Sequence, residues 1–312
     1  MIVSGTVIRS TGAEYRVATA SGEVLSCVLR GKIRLKELKS TNPVAVGDLV
    51  TVELTTAGNV ITGILPRKNY ILRRATNLSK QTHILCANID QAVLVATVDF
   101  PHTPLGFIDR FLVTAEAYHI PVIILFNKID LLTNELQKNK WFDLVYIYES
   151  AGYRVVNISA TNPDCQDIIQ SVFQNKISFI GGKTGVGKST ILNTADSSLQ
   201  LRTGEISKST HTGKHTTTNA EMHTLQFGGQ VIDAPGLSEF EITDFEPREI
   251  CGYFPEFRPF LSSCKFSNCL HEAEPDCAIK DAVEEGLLSH TRYHTYLGML
   301  AEIRLQKAMK HS

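Results

Sequence analysis

The chain has 312 residues, of which 43% are hydrophobic and 20% charged, with 31 Lys and Arg against 32 Asp and Glu. This composition suits a soluble protein of two or three domains with sizeable cores, and a formal charge of −1 excludes any global pull toward nucleic acid. There is no run of about 18 apolar residues and no basic start followed by an apolar stretch, so neither a membrane helix nor a secretory signal is expected, and the expected location is cytoplasmic.

Residues 1–68 read as short strands at Ile2–Ile8, Tyr15–Ala18, Val24–Leu29, Leu49–Leu54 and Asn59–Ile64, punctuated by Gly5, Gly12, Gly22, Gly31, Gly47 and Gly58. That density of strands predicts a small barrel such as an OB-fold. Between strands, Arg30-Gly31-Lys32-Ile33-Arg34-Leu35-Lys36-Glu37-Leu38-Lys39 carries five basic residues against one acidic. It reads either as an RNA-phosphate contact, since OB-type loops commonly bind oligonucleotides, or as a solvated loop without a ligand.

Residues 69–245 alternate apolar runs with helical stretches. Strands are expected at Ala92–Val98, Ile120–Phe126, Arg154–Ile158, Ile177–Ile180 and Gln230–Ile232, and helices at Phe107–Tyr118, Thr133–Ala151, Asp164–Gln174 and Lys188–Thr194. The alternation predicts a doubly wound α/β sheet, whose ligands sit at the carboxyl ends of strands. Three motifs follow predicted strands in that way.

The first is Asn127-Lys128-Ile129-Asp130, an N-K-x-D loop. The Asp130 carboxylate can accept two hydrogen bonds from guanine's N–H edge, which adenine cannot offer. Asn127 can tie this loop to the base and the phosphate loop, and the aliphatic part of Lys128 can pack on the base. Ser159-Ala160 fits a second guanine loop. The second motif is the phosphate loop Gly181-Gly182-Lys183-Thr184-Gly185-Val186-Gly187-Lys188-Ser189-Thr190, between a strand and a helix as such a loop requires. Its backbone N–H groups close around phosphates, Lys188 reaches the β/γ oxygens, and the Ser189 hydroxyl holds Mg²⁺. The third is Asp233-Ala234-Pro235-Gly236, with Asp233 on the Mg²⁺ side and the Gly236 N–H on the γ-phosphate.

The Thr-rich stretch Lys208–Thr218 offers Thr217 as a second Mg²⁺-side hydroxyl. The residue after Gly236 is Leu237, which cannot orient a water as a Ras-like glutamine does; His215 reads either as the nearest chemically suitable substitute or as an exposed loop histidine with no role. The guanine loop precedes the phosphate loop, and the Asp233 motif comes last. This is the usual GTPase order rotated, as in a circularly permuted GTPase. The rotation attaches whatever follows residue 245 directly to the part that senses the γ-phosphate.

Residues 246–312 hold Cys264-x₄-Cys269-x-His271-x₅-Cys277, three thiols and an imidazole that suit one structural, tetrahedral Zn²⁺. Seven cysteines in all, an odd number with three of them here, point to a reducing compartment rather than a disulfide framework. Cys27, Cys86, Cys165 and Cys251 read as buried free thiols. A helical pair, Ala278–Glu285 and Thr291–Lys310, follows, the second with an apolar face that includes Tyr293 and Tyr296.

With these residues together, the chain closely resembles the bacterial RsgA family, the ribosome small-subunit-dependent GTPase A family, over nearly its whole length. The motifs that carry the likeness are Asn127-Lys128-Ile129-Asp130, Thr184-Gly185-Val186-Gly187-Lys188-Ser189, Gly213-Lys214-His215-Thr216-Thr217-Thr218, Asp233-Ala234-Pro235-Gly236 and Cys264…Cys269…His271…Cys277. The resemblance implies an OB-fold barrel at 1–68, a circularly permuted P-loop GTPase α/β domain at 69–245 and a zinc-binding helical module at 246–312. It also implies a monomeric GTPase using GTP/GDP with Mg²⁺. Such an enzyme binds the 30S subunit and its 16S rRNA late in maturation and is stimulated by it, with His215 assisting hydrolysis. Lys183-Thr184 stands where the family often carries Gln-Ser, which adds a charge near the phosphates. A nucleotide-binding RNA-binding protein without turnover is the competing reading, and the guanine loop disfavours a metabolic P-loop kinase.

Overall fold

The computed structural model describes residues 1–12, 14–30, 43–74, 82–201, 220–233 and 245–311. Most of the basic stretch Arg30–Lys39, the Thr-rich stretch with His215 and Thr217, and Gly236 and Leu237 lie outside the described residues. In chain order the strands are β1 (Ile2–Ser10), β2 (Tyr15–Thr19), β3 (Val24–Leu29), β4 (Leu49–Thr55), β5 (Gly58–Ile64), β6 (Tyr70–Arg74), β7 (Thr82–Ala87), β8 (Gln91–Ala96), β9 (Val122–Phe126), β10 (Arg154–Asn157), β11 (Ile177–Gly181), β12 (Glu221–Thr224) and β13 (Gln230–Asp233). The helices are α1 (Leu105–Ala117), α2 (Glu135–Ser150), α3 (Gln166–Phe173), α4 (Lys188–Ala195), the short α5 (Pro247–Ile250) and α6 (Arg258–Leu261), then α7 (Ala278–Glu284) and α8 (His290–His311). The chain divides into two compact units, 1–95 with 158–238, and 96–157 with 239–312.

In the first unit β1 pairs with both β2 and β4, and the order β1-β2-β3-β5-β4 closes on itself as a five-stranded barrel. Alternation on these strands sends Val7, Tyr15, Val17, Leu25, Cys27, Val50, Val52 and Ile61 inward to one core. Gly47 meets the hairpin β6–β7 closely: a Cβ there would lie 2.0 Å from the Ala87 carbonyl oxygen. A buried pair, Arg67 with both oxygens of Asp48 at 2.6 Å, ties the segment after β5 back to the barrel. The α/β part of this unit has β8, β11 and β13 side by side and parallel, with β12 antiparallel to β13. β8 is buried along its whole length, as a parallel strand covered on both faces must be.

In the second unit β9 and β10 pair in parallel, and β9 is wholly buried. Helix α2 starts at a capping box, with Asn134 accepting from the Gln137 N–H and the Gln137 side chain reaching back. The core of residues 239–311 is built from Phe254, Phe257, Ile279, Val283, Tyr296, Leu300 and Ile303, and Val113 of α1 belongs to it. Among the described residues no helix is long and apolar enough to cross a membrane. Of the four scattered thiols, Cys27, Cys86 and Cys251 are buried; Cys165 is only half-buried, because it sits at the exposed turn that opens α3.

Candidate functional site

The phosphate loop belongs to the first unit. β11 ends at the buried Gly181, and α4 begins at Lys188, with Gly187 before it at φ 101°. Gly182 has φ 147°, and a Cβ there would stand 2.4 Å from the Val95 carbonyl oxygen of β8, so this turn needs a glycine. Val186 is fully buried and pins the loop from below, while Thr184 and Gly185 are exposed. The Lys188 ammonium donates to the carbonyl oxygens of Gly182 at 2.7 Å and Lys183 at 3.1 Å. Burial lowers its pKa, and the Asp233 carboxylate opposes that shift.

Asp233 ends β13, paired in register with Ile180 of β11. Its Oδ1 is buried without a hydrogen-bond partner among the described residues. Burial raises its pKa, against the pull of Lys188 and His223. A buried carboxylate oxygen with nothing to accept from is costly unless a cation or water meets it, so the site fits a metal-side role. Ser159 and Ala160 follow β10, and the Ala160 carbonyl accepts from the Thr194 hydroxyl of α4 at 2.7 Å. The Ser159-Ala160 loop is thus fastened to the helix that starts at the phosphate loop. Sequence reasoning missed Thr194, whose place facing that loop is set by tertiary packing.

The N-K-x-D loop belongs to the second unit. Asn127 is buried, and its N–H donates to the Ala96 carbonyl at 2.9 Å. Lys128 adopts the left-handed conformation at φ 63°, and its ammonium donates to the Phe100 carbonyl at 2.7 Å. Ile129 and Asp130 begin the single 3₁₀ turn that follows, and Asp130 is exposed.

Cys264, Cys269, His271 and Cys277 converge so that their ligand atoms lie within 4.8 Å of one another. The His271 Nδ1 is 3.5 Å from the Cys264 Sγ and 3.4 Å from the Cys277 Sγ, and the two sulfurs are 4.0 Å apart. The His271 N–H also points at the Cys269 Sγ, 3.4 Å away. Burial holds the His271 imidazole toward its neutral, ligating form. The loop is held from outside as well: the Tyr293 and Tyr296 hydroxyls donate to the carbonyls of His271 and Leu270, at 2.6 and 2.7 Å. Glu274 accepts from the Leu270 N–H at 2.8 Å, and such bonds hold its carboxyl down at about 2 against its burial. The four residues can hold a metal ion.

A family model for the RsgA N-terminal domain matches residues 4–61, and one for the RsgA GTPase matches residues 64–243. A small ribosomal subunit biogenesis GTPase RsgA from Flavobacterium johnsoniae is 47% identical over 302 residues, 96% of this chain and 93% of that protein. The protein of the same description from Bacteroides fragilis is 45% identical, over 96% of this chain and 97% of its own. Among solved structures, YjeQ from Thermotoga maritima is 36% identical with a TM-score of 0.78, covering 97% of this chain and 99% of that one. YloQ, described as a circularly permuted GTPase, is 31% identical with a TM-score of 0.74, covering 97% and 96%.

Proposed function

The chain belongs to the RsgA GTPase family and is a GTP-hydrolysing P-loop enzyme; we propose that it acts on the 30S ribosomal subunit late in its maturation, as a cytoplasmic monomer bound to 16S rRNA and stimulated by the subunit. The observation that carries this reading is a phosphate loop with the geometry to grip a nucleotide, in a chain that resembles small-subunit biogenesis factors end to end. We assign residues 1–68 to an RNA-binding barrel, 69–245 to the permuted GTPase domain and 246–312 to the zinc module. The family-model limits at 61, 64 and 243 support those boundaries.

Asn127, Lys128, Ile129 and Asp130 read guanine, and Ser159 and Ala160 form a second guanine loop. Gly181, Gly182, Lys183, Thr184, Gly185, Val186, Gly187, Ser189 and Thr190 cradle the phosphates through backbone N–H groups and hydroxyls. Lys188 exchanges its bonds to the Gly182 and Lys183 carbonyls for the β/γ oxygens, so its partners change but its position need not. Ser189, Thr217 and Asp233 would hold Mg²⁺, which when bound neutralises charge between the β- and γ-phosphates. The Gly236 N–H bonds the γ-phosphate, and His215 orients the attacking water that Leu237 cannot.

The metal of the Cys264–Cys269–His271–Cys277 cluster is one structural Zn²⁺. Bond lengths of about 2.3 Å to sulfur and 2.0–2.1 Å to nitrogen in a tetrahedron give S···S edges of about 3.8 Å and S···N edges of about 3.5 Å. The 4.0, 3.5 and 3.4 Å edges among Cys264, His271 and Cys277 are close to those values, and the Cys269 sulfur lies within 4.8 Å of the other ligand atoms.

GTP turnover with and without purified small subunits tests the whole reading. Turnover is expected to be slow alone and to rise when subunits are added. A rate that 30S subunits leave unchanged would overturn the subunit-dependent role.

A further inference from the structure

Arg292, near the start of α8, is the largest fully buried side chain among the described residues. Its guanidinium bonds Asp109 of α1 at 2.6 Å and Glu256 at 2.7 Å, and lies 4.5 Å from the centre of the Phe254 ring. Asp109 in turn accepts from the Tyr148 hydroxyl of α2 at 3.0 Å. Among the described residues the other Asp109 oxygen has no partner, and Arg292 is the only group besides that hydroxyl to bond the carboxylate. One guanidinium therefore fastens α1 and α2 to the turn before α6 and to α8. Around this buried centre, Arg110–Glu302 and Arg258–Glu116 add two outer ties, each at 2.7 Å. A buried charge with this many partners does not slide, because any displacement leaves a carboxylate or guanidinium desolvated and unpaired.

The same two helices frame the N-K-x-D loop. The segment leading into α1 supplies the Ala96 carbonyl bonded by the Asn127 N–H and the Phe100 carbonyl bonded by Lys128. It is braced internally by Thr97, whose N–H donates to the Thr103 hydroxyl at 3.0 Å. At the start of α2, the Gln137 amide of the capping box donates to Asp99 in that same segment, at 3.2 Å. Shifting α1 or α2 thus shifts the supports of the loop.

We propose that the Arg292–Asp109–Glu256 cluster is a positioning element for guanine recognition, through which the C-terminal module sets how sharply the N-K-x-D loop distinguishes bases. The proposal rests on the reading of Asn127–Asp130 as the base-reading loop. Arg292 touches no nucleotide; it acts by fixing the helices that carry the loop's supports.

The test compares GDP with inosine diphosphate, which lacks the 2-amino group and so offers Asp130 one N–H fewer. The ratio of the two dissociation constants reports the geometry of the base-reading loop. A general loss of stability weakens both ligands together and leaves the ratio in place. Arg292→Met is the first variant. Asp109→Asn/Glu256→Gln/Arg292→Met is the second; it removes all three charges at nearly constant volume, so no charge is left buried alone and folding is retained. The GDP preference should fall by roughly 2- to 30-fold in whichever variants fold, the range for substitutions that modulate coupling without touching the ligand. Glu272→Ala, which breaks only the exposed tie to Arg304, should keep the wild-type ratio. A folded triple variant with the wild-type ratio would overturn the positioning role. A wild type that binds the two nucleotides equally would overturn the base-reading assignment itself, and the proposal with it.

Discussion

Replacing Gly182 with alanine separates a conformational demand from a steric one at the phosphate loop. A side chain at φ 147° is strained wherever it occurs, which costs about 1–3 kcal/mol. At Gly182 the new methyl would also stand 2.4 Å from the Val95 backbone oxygen and 3.1 Å from a Val186 methyl. Val95 lies in the buried strand β8, whose backbone cannot yield, so overpacking adds about 1–3 kcal/mol and the total is about 2–6 kcal/mol. Gly152 is the matched control: its φ is 91°, but nothing lies within 4 Å of a Cβ there, so only the strain applies. The excess at Gly182 should be relieved by the loop lifting about 1 Å, from 2.4 Å to an ordinary contact. Lifting misaligns the N–H groups that meet phosphate, and one charge-assisted bond lost weakens binding by roughly 10- to 150-fold. Urea unfolding followed by circular dichroism gives the stabilities, and titration of a fluorescent GDP analogue gives the affinities. Equal destabilisation by Gly182→Ala and Gly152→Ala, with unchanged nucleotide affinity in both, would refute the close-approach argument.

Asp130→Asn should weaken GTP binding by about 1–3 kcal/mol, since an amide cannot accept both guanine N–H bonds; calorimetry that finds ATP and GTP bound equally by the wild type would defeat the premise. Cys264→Ser or Cys277→Ser should abolish the bound zinc, one per chain by metal analysis of protein purified without chelator, and unfold the C-terminal module. Under the coupling inferred above, the same loss should erode the preference for GDP over inosine diphosphate more than it erodes affinity for the phosphates. His215→Ala should lower subunit-stimulated turnover while sparing GTP affinity, as for a contact made mainly in the transition state; stimulated rates that do not change would pass the role to another group. The small subunit should bind the protein tighter with a non-hydrolysable GTP analogue than with GDP, by roughly 5- to 150-fold, and equal affinities in a sedimentation assay would exclude nucleotide-controlled release.

The barrel strands are legible in the sequence to within one or two residues, because each alternates and is stopped by a glycine or a polar turn. The phosphate loop is equally legible, since chemistry fixes both its residues and the strand and helix around it. The hairpin β6–β7 and strand β12 are not. Glu221-Met222-His223-Thr224 is polar, buries only Met222 and is a strand through its pairing with β13, which no local pattern encodes. Helix α1 begins two residues earlier than the apolar periodicity indicates, because Pro104 opens it. The tyrosines of α8 read as part of an apolar face, and they are; their hydroxyls, at the far ends of those rings, hold the metal loop. The role of Arg292 is not legible locally because its partner Asp109 lies 183 residues away. A buried ion cluster is invisible to periodicity, which registers Arg292 only as a polar break in the face of a helix.

That separation sets a timetable. At about 5–20 residues per second, the ribosome that makes this chain completes α1 roughly 10–40 s before Arg292 is added. Through that interval Asp109 has only the Tyr148 hydroxyl, once α2 exists, and Val113 waits without the later part of its core. The nascent protein therefore carries a half-finished helix face, charged at one turn and apolar at the next, until the C-terminal segment arrives to close it. A translation pause placed between the two would lengthen the life of that exposed face, and its lifetime is readable as chaperone binding to stalled chains of increasing length.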